Sequence, residues 1–387
     1  MKKSIRFLFA ILIVCVTING FSSCNEEESG IDDKPVSVKA TVVEIEKYGH
    51  AVLDVNTADL VAVGFALGDV VCVRLGAFES TMPFFDGYYS NPGSLLLRGS
   101  APEARVAICI NYDNFAAVNG VRVGDSVEII MAEKAGMLAI QELCALHYSN
   151  DREDYADDAT FSNFRAVTLG RIGEGKLYRT ASPINNEHGL AEYADNLIES
   201  VGVATVLNLA DSFEDIEGYL ANTEQTSEYY RSLYESGRVI AIDLAGDFFS
   251  NDFAATIADG LTFLARNETP FCIHCTEGKD RAGFTAMLLE ALMGATLDQI
   301  IYDYTLTFYN YYGIDKDREP ERYQAVLDTN LIPIILHVTG AKSVEELKCM
   351  DLEVAVTEYL LEAGMTEEDI SMLKDKLSWY FPRGFSV

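Results

Sequence analysis

Two hydrophobic rhythms divide the chain. Between residues 36 and 150, apolar and polar positions alternate, as in VSVKATVVEI (36–45), AVLDV (51–55), DVVCVRL (69–75), EARVAICINY (103–112) and DSVEIIMAE (125–133). A period of two sends successive side chains to opposite faces, so these runs predict strands half-buried on one core, with Gly, Asn and Pro turning the chain between them. GFALGDVVCV (64–73) and GVRVGDSVEI (120–129) repeat a Gly-Asp step that leads into a strand. Two such steps predict a small all-β, barrel-like domain over 36–150 with two similar halves. The acidic DREDYADD (151–158) reads as a hinge.

From about residue 160 the rhythm changes. Short continuous apolar runs, VATVLNL (203–209), RVIAIDL (238–244) and PFCIHC (270–275), alternate with helical stretches at 251–266 and 283–293. Unbroken apolar strands separated by helices predict an α/β domain over 160–387, its parallel sheet covered on both faces. After residue 296 the pattern is helical to the end.

The first residues follow neither rhythm. MKKSIR is basic, FLFAILIVCVTI is an apolar run of 12 residues, and NGFSSC brings small residues up to Cys24. The run is shorter than the roughly 20 residues a spanning helix needs, so 1–23 reads as a signal peptide. FSSC resembles a bacterial lipobox, which implies lipidation of Cys24, an acidic tether over 24–35 and an exported protein anchored in the outer membrane. NEEES resembles the acidic export tag of surface lipoproteins.

Charge narrows the partners. With 29 basic and 60 acidic residues the net charge is 29 − 60 = −31, which repels nucleic acid and anionic lipid headgroups. Any phosphate chemistry therefore depends on a local positive pocket. The eight cysteines show neither a disulfide framework nor zinc-ligand spacing, and the histidines at 50, 147, 188 and 337 are isolated. No metal or cofactor is implied.

The local pocket is FCIHCTEGKDRAGF (271–284). Cys275 ends a strand, five residues and then Arg281 follow, and Gly283 opens a helix that reads as amphipathic (Phe284, Met287, Leu288, Ala291, Leu292) and stops at Gly294. A strand, turn and helix N-terminus aim backbone N–H groups at one point. The fork of Arg281 suits the peripheral oxygens of a phosphoryl group, and the same field favours Cys275 as the nucleophilic thiolate. Thr276, Glu277, Gly278, Lys279, Asp280, Ala282 and Gly283 complete the expected anion-binding loop, with Gly278 supplying the bend. His274 is expected to orient the loop through its ring N–H.

This segment resembles the cysteine-dependent protein tyrosine phosphatase superfamily, and HCTEGKDRAG resembles its bacterial branch with H-C-x-x-G-K-D-R. The resemblance spans roughly 160–387, supported by NFRAV (163–167), LYRTASP (177–183), VLNLAD (206–211) and DYTLTFYNYY (303–312). It implies hydrolysis of a phosphorylated substrate, a phosphotyrosine peptide, a phosphoinositide or an inositol phosphate, through a phosphocysteine. Asp280 is expected to hold Arg281, Arg165 or Arg179, and Lys279 to meet a second phosphate or face solvent. Asp247, in the loop IDLAGDFFSNDF, matches the position of the general acid, with Asp243 the runner-up.

Two departures stand out. Ala282 replaces the Ser or Thr that relatives carry after the Arg, removing a hydroxyl that hydrogen-bonds the departing sulfur. LNLAD replaces the D-L-R of the branch. A phospho-ligand-binding lipoprotein with weak turnover is the rival of another class.

Overall fold

The computed structural model describes residues 35–89, 93–222, 227–244 and 246–378. The signal peptide, Cys24 and nearly all of the tether lie outside the described residues.

Seven strands form a closed barrel: β1 (Ser37–Ile45), β2 (Ala51–Asn56), β3 (Val70–Leu75), β4 (Phe78–Phe85), β5 (Leu95–Arg98), β6 (Arg105–Ile110) and β7 (Ser126–Glu133), in the order β1-β2-β6-β5-β4-β3-β7. Neighbours are antiparallel except β4 and β5. The alternation does what period two requires. Val71, Val73 and Leu75 of β3 point into the core, while Cys72 and Arg74 face outward. On β6, Val106, Ile108 and Ile110 fill the interior, and Ala107 and Cys109 join a small cluster outside it.

The repeated Gly-Asp step has a physical cause. Gly68 (φ +88°) and Gly124 (φ +98°) take left-handed turns that disfavour a side chain. In each turn the aspartate accepts from the N–H three residues upstream: Asp69 Oδ2 from Ala66 at 2.6 Å, Asp125 Oδ2 from Arg122 at 2.8 Å. The strands that follow, β3 and β7, pair with one another.

A short helix, Leu138–Cys144, leads from the barrel to the second sheet. That sheet comprises β8 (Arg165–Ala166), β9 (Leu177–Thr180), β10 (Thr205–Asn208), β11 (Val239–Ala241) and β12 (Phe271–His274), in the order β11-β10-β12-β9-β8. All pairs are parallel except β8 with β9. Helices Ala191–Ser200, Phe213–Ala221 and Glu228–Glu235 supply one hydrophobic cluster, and Asn251–Arg266, Asp280–Leu292 and the C-terminal helices supply the largest core. The sheet is thus covered twice, as continuous apolar strands demand.

One expectation is corrected. The helix Asp280–Leu292 is not amphipathic: every residue from Ala282 to Leu292 is buried. Helices from both the sheet side and the C-terminal side enclose it, so it is hydrophobic nearly all round.

Candidate active site

Strand β12 delivers Cys275 to its C-terminal end, where the chain turns through 276–279 into the helix Asp280–Leu292. Cys275 is only 3% exposed, at the base of this loop.

The loop is held from outside by its carbonyl groups. The Ser182 N–H donates to the Thr276 carbonyl at 3.1 Å, and the Tyr311 hydroxyl donates to that of Glu277 at 3.1 Å. Asn163 Nδ2 donates to the Gly278 carbonyl at 3.1 Å and Arg179 Nη2 to the same oxygen at 2.8 Å. Arg179 Nη2 also reaches the Lys279 carbonyl at 3.1 Å. Across a planar trans peptide the N–H points opposite to the carbonyl. Pulling four successive carbonyls outward therefore turns the N–H groups of residues 277–280 inward, over Cys275. Gly278 is required here, because it has φ +68° and an added Cβ would lie 2.5 Å from the Thr180 backbone.

Arg281 closes the loop. Its Nη1 donates to the Leu244 carbonyl at 3.1 Å and its Nη2 to Thr276 Oγ1 at 3.2 Å. The guanidinium thus ties the loop to the 242–250 segment expected to carry the general acid. Asp247 and Asp243 in that segment are both exposed, and Asp243 has φ +41°.

Behind the loop lies a buried ion-pair frame. Asp303 accepts from Arg165 Nε at 2.7 Å and from Arg179 Nη1 at 2.6 Å. Arg165 Nη1 donates to Asn163 Oδ1 at 2.7 Å, and Asn163 in turn grips the loop. Burial alone would raise the pKa of Asp303, but the two guanidinium groups overrule it and hold the carboxyl well below the ordinary range. Removing one member of such a set leaves an unpaired buried charge, at a cost of about 3–5 kcal/mol. Glu290 lies beside Asp303, buried, with Oε1 unpartnered. Burial first, and then the Asp303 charge, push its pKa well above the usual carboxyl value.

One further expectation is corrected. Asp280 does not hold Arg281, Arg165 or Arg179; the arginines at 165 and 179 belong to Asp303. Asp280 faces Lys279 instead, at 3.7 Å, and burial raises its pKa despite that cation. The His274 ring bears on the Cys275 backbone without a hydrogen bond of normal geometry to the loop. Neither nitrogen finds a well-formed hydrogen bond, the ring packs edge-on against Tyr230 at 5.8 Å, and burial lowers its pKa to about 3. It is a neutral wedge under the strand end.

Lys279 is neither solvent-facing nor free. Its Nζ lies 3.0 Å from Glu277 Oε2 and 3.4 Å from the Tyr312 hydroxyl. Burial opposes its charge, but Asp280 and Glu277 outweigh that and raise its pKa. Ala282 is fully buried at the loop exit, with Gly283 packed against the Tyr304 ring.

The sequence profile of the tyrosine phosphatase family matches residues 160–378, more than half of the chain. The chain belongs to this family. A Cupriavidus necator protein with a provisional tyrosine-protein phosphatase name is 28% identical over 183 residues, covering 40% of this chain and 62% of that protein. The core catalytic domain of the PP-IP phosphatase SIW14 from S. cerevisiae is 19% identical, with a TM-score of 0.27 over 45% of this chain and 90% of that one. P. aeruginosa TpbA is 15% identical, with a TM-score of 0.23 over 44% of this chain and 92% of that one.

Asp303, Asn163 and Thr307 had no role assigned from the sequence, although they sit within NFRAV and DYTLTFYNYY. Thr307 Oγ1 accepts from Arg165 Nη2 at 3.1 Å and donates to Asn163 Oδ1 at 3.2 Å.

The frame predicts a pH signature. Unfolded Glu titrates near about pH 4.3. Because the folded pKa of Glu290 is raised, its contribution is full below that pH and is lost as pH rises toward the folded value. Glu290→Gln keeps the neutral shape without the proton requirement. Thermal unfolding should show it gaining stability relative to the native chain at pH 8, with the gain shrinking toward pH 4.5. A gap independent of pH would show that Glu290 carries no such linkage.

Proposed function

We propose that the protein is a cysteine-dependent phosphomonoester hydrolase. The observation that carries this is the outward capture of four loop carbonyls between Cys275 and Arg281, which supports a reading of the loop N–H groups and the Arg281 guanidinium as the holders of an anion. The phosphoryl oxygens lie against those N–H groups and Arg281. Cys275 Sγ attacks phosphorus, the bond from phosphorus to the leaving oxygen breaks, and an acid delivers a proton to that oxygen. Water then attacks the phosphocysteine, its proton passes to the same carboxylate, and the thiolate departs with phosphate released. A phosphotyrosyl peptide or an inositol phosphate presents the required monoester.

Phosphate release from p-nitrophenyl phosphate tests the reading. The native chain should turn over and Cys275→Ser should not, while still binding vanadate. Vanadate binding by the native chain without phosphate release would assign it to the phospho-ligand binders instead.

Asp247 is the proposed acid, since the next residues, Phe248 and Phe249, line a cavity together with Lys279 and Asp280 of the loop. A second reading takes Asp280, which lies at the end of the loop itself and lines the same cavity as Phe248 and Phe249. Alkyl phosphates, which have poor leaving groups, separate the two. Asp247→Asn should slow them at least ~10-fold more than aryl phosphates. If Asp280→Asn shows that pattern and Asp247→Asn does not, the acid is Asp280.

We also propose that the chain is exported and anchored through a lipid on Cys24, on the strength of the lipobox-like FSSC. Cys24→Ala should move it from the membrane fraction to the soluble fraction. A mature N-terminus other than residue 24, read by mass spectrometry, would refute the anchor.

A further inference from the structure

Two cavities lie between the phosphate loop and the barrel. The first, about 410 Å³, is lined by Lys279 and Asp280 of the loop, by Phe248 and Phe249 of the neighbouring segment, and by Tyr89 and Cys144. The second, about 470 Å³, shares Tyr89, Cys144, Thr329 and Asn330 with the first and continues along Pro83, Phe85 and Leu95 of the barrel. Shared walls make them one groove running from the loop to the barrel surface. Tyr89 and Cys144 lie outside residues 160–378, the part that the family accounts for.

The barrel side of the groove is fixed in place. The Tyr89 ring lies 5.7 Å from Phe85, and a Cβ on Gly87 would come within 2.6 Å of it. The helix Leu138–Cys144 bridges the barrel and the helix Pro320–Val326: Gln141 Oε1 accepts from the Asp86 N–H at 3.2 Å, and Glu142 accepts from Arg322 Nη2 at 2.8 Å. The opposite wall is a π-helical turn, Leu327–Leu331, which presents Thr329 and Asn330. Such turns recur at functional sites because they break the regular ladder to place side chains.

Charge decides what the groove accepts. Lys279 is the only cation among its lining residues, against Asp280 and Asp328, and Lys279 is already paired with Glu277. A ligand with several phosphates would find no counter-charge beyond the loop. Apart from the uncharged polar Ser94, Thr329 and Asn330, the other lining residues are aromatic, aliphatic or sulfur-bearing, which suits burial of apolar surface.

We propose that the barrel is part of the substrate site: the groove from Lys279 to Tyr89 binds the leaving-group side of the substrate, an extended apolar chain carrying a single aryl phosphate. This rests on the phosphatase reading above.

The test uses the full chain and two substrates, p-nitrophenyl phosphate and a phosphotyrosyl peptide with Ile, Leu and Val flanking the tyrosine. The measured quantity is the ratio of kcat/KM for peptide to kcat/KM for p-nitrophenyl phosphate. Tyr89→Ala should lower that ratio about 10-fold, the scale of losing one buried ring contact. Tyr89→Phe should preserve it, and Cys144→Trp, which fills the groove instead of emptying it, should lower it too. An unmoved ratio in both Tyr89→Ala and Cys144→Trp would overturn the proposal, as would a native preference for an inositol polyphosphate over the peptide. A native chain that hydrolyses no aryl phosphate would instead bring down the phosphatase reading, and the groove assignment with it.

Discussion

The catalytic architecture depends on one buried carboxylate. Asp303 draws together Arg165 and Arg179, which approach from 138 and 124 residues away in sequence. Arg179 Nη2 donates to the carbonyls of Gly278 and Lys279, and Arg165 orients Asn163, which grips Gly278 as well. The loop cannot relax into an ordinary turn while these bonds persist. Its N–H groups are turned away from the frame because its carbonyls are held by it. Preorganisation of this kind removes the need to reorient dipoles during reaction, the usual source of large electrostatic rate effects.

The same frame explains why the site tolerates burial of so much charge. Two guanidinium groups share one carboxylate, and burial and the Asp303 charge both raise the pKa of Glu290 beside them. His274 sits buried under the strand end, its ring against Tyr230 and close to the Cys275 backbone.

Much of this was legible in the sequence, and the exceptions have physical causes. Strands β1, β2, β3, β6 and β7 follow from strict alternation, and the loop and its helix follow from Cys275, Gly278 and Arg281. Strand β4 escaped notice because FESTMPFF breaks the alternation and carries Pro83, and β5 because it has only four residues. Asp303 was hidden differently. Within DYTLTFYNYY it looks like the polar face of a surface helix, and only the tertiary fold reveals that two arginines meet it. Asp280 misled for the converse reason: an acid beside Arg281 in sequence suggests a partner, but as the first residue of the helix it faces Lys279. The groove reaching Tyr89 lies between segments whose separate rhythms carry no record of their contact.

Rapid-quench mass spectrometry of the native chain mixed with an aryl phosphate tests the central claim most directly. The loop has Ala282 where relatives place a hydroxyl to assist the departing sulfur, so the second chemical step should be slow enough for the intermediate to accumulate. The account predicts a phosphoryl group on the peptide containing Cys275 within the first turnover, coincident with a burst of released alcohol and absent in Cys275→Ser. Turnover with no phosphoryl on Cys275 at any quench time and no burst, or with the label on another residue, would contradict it.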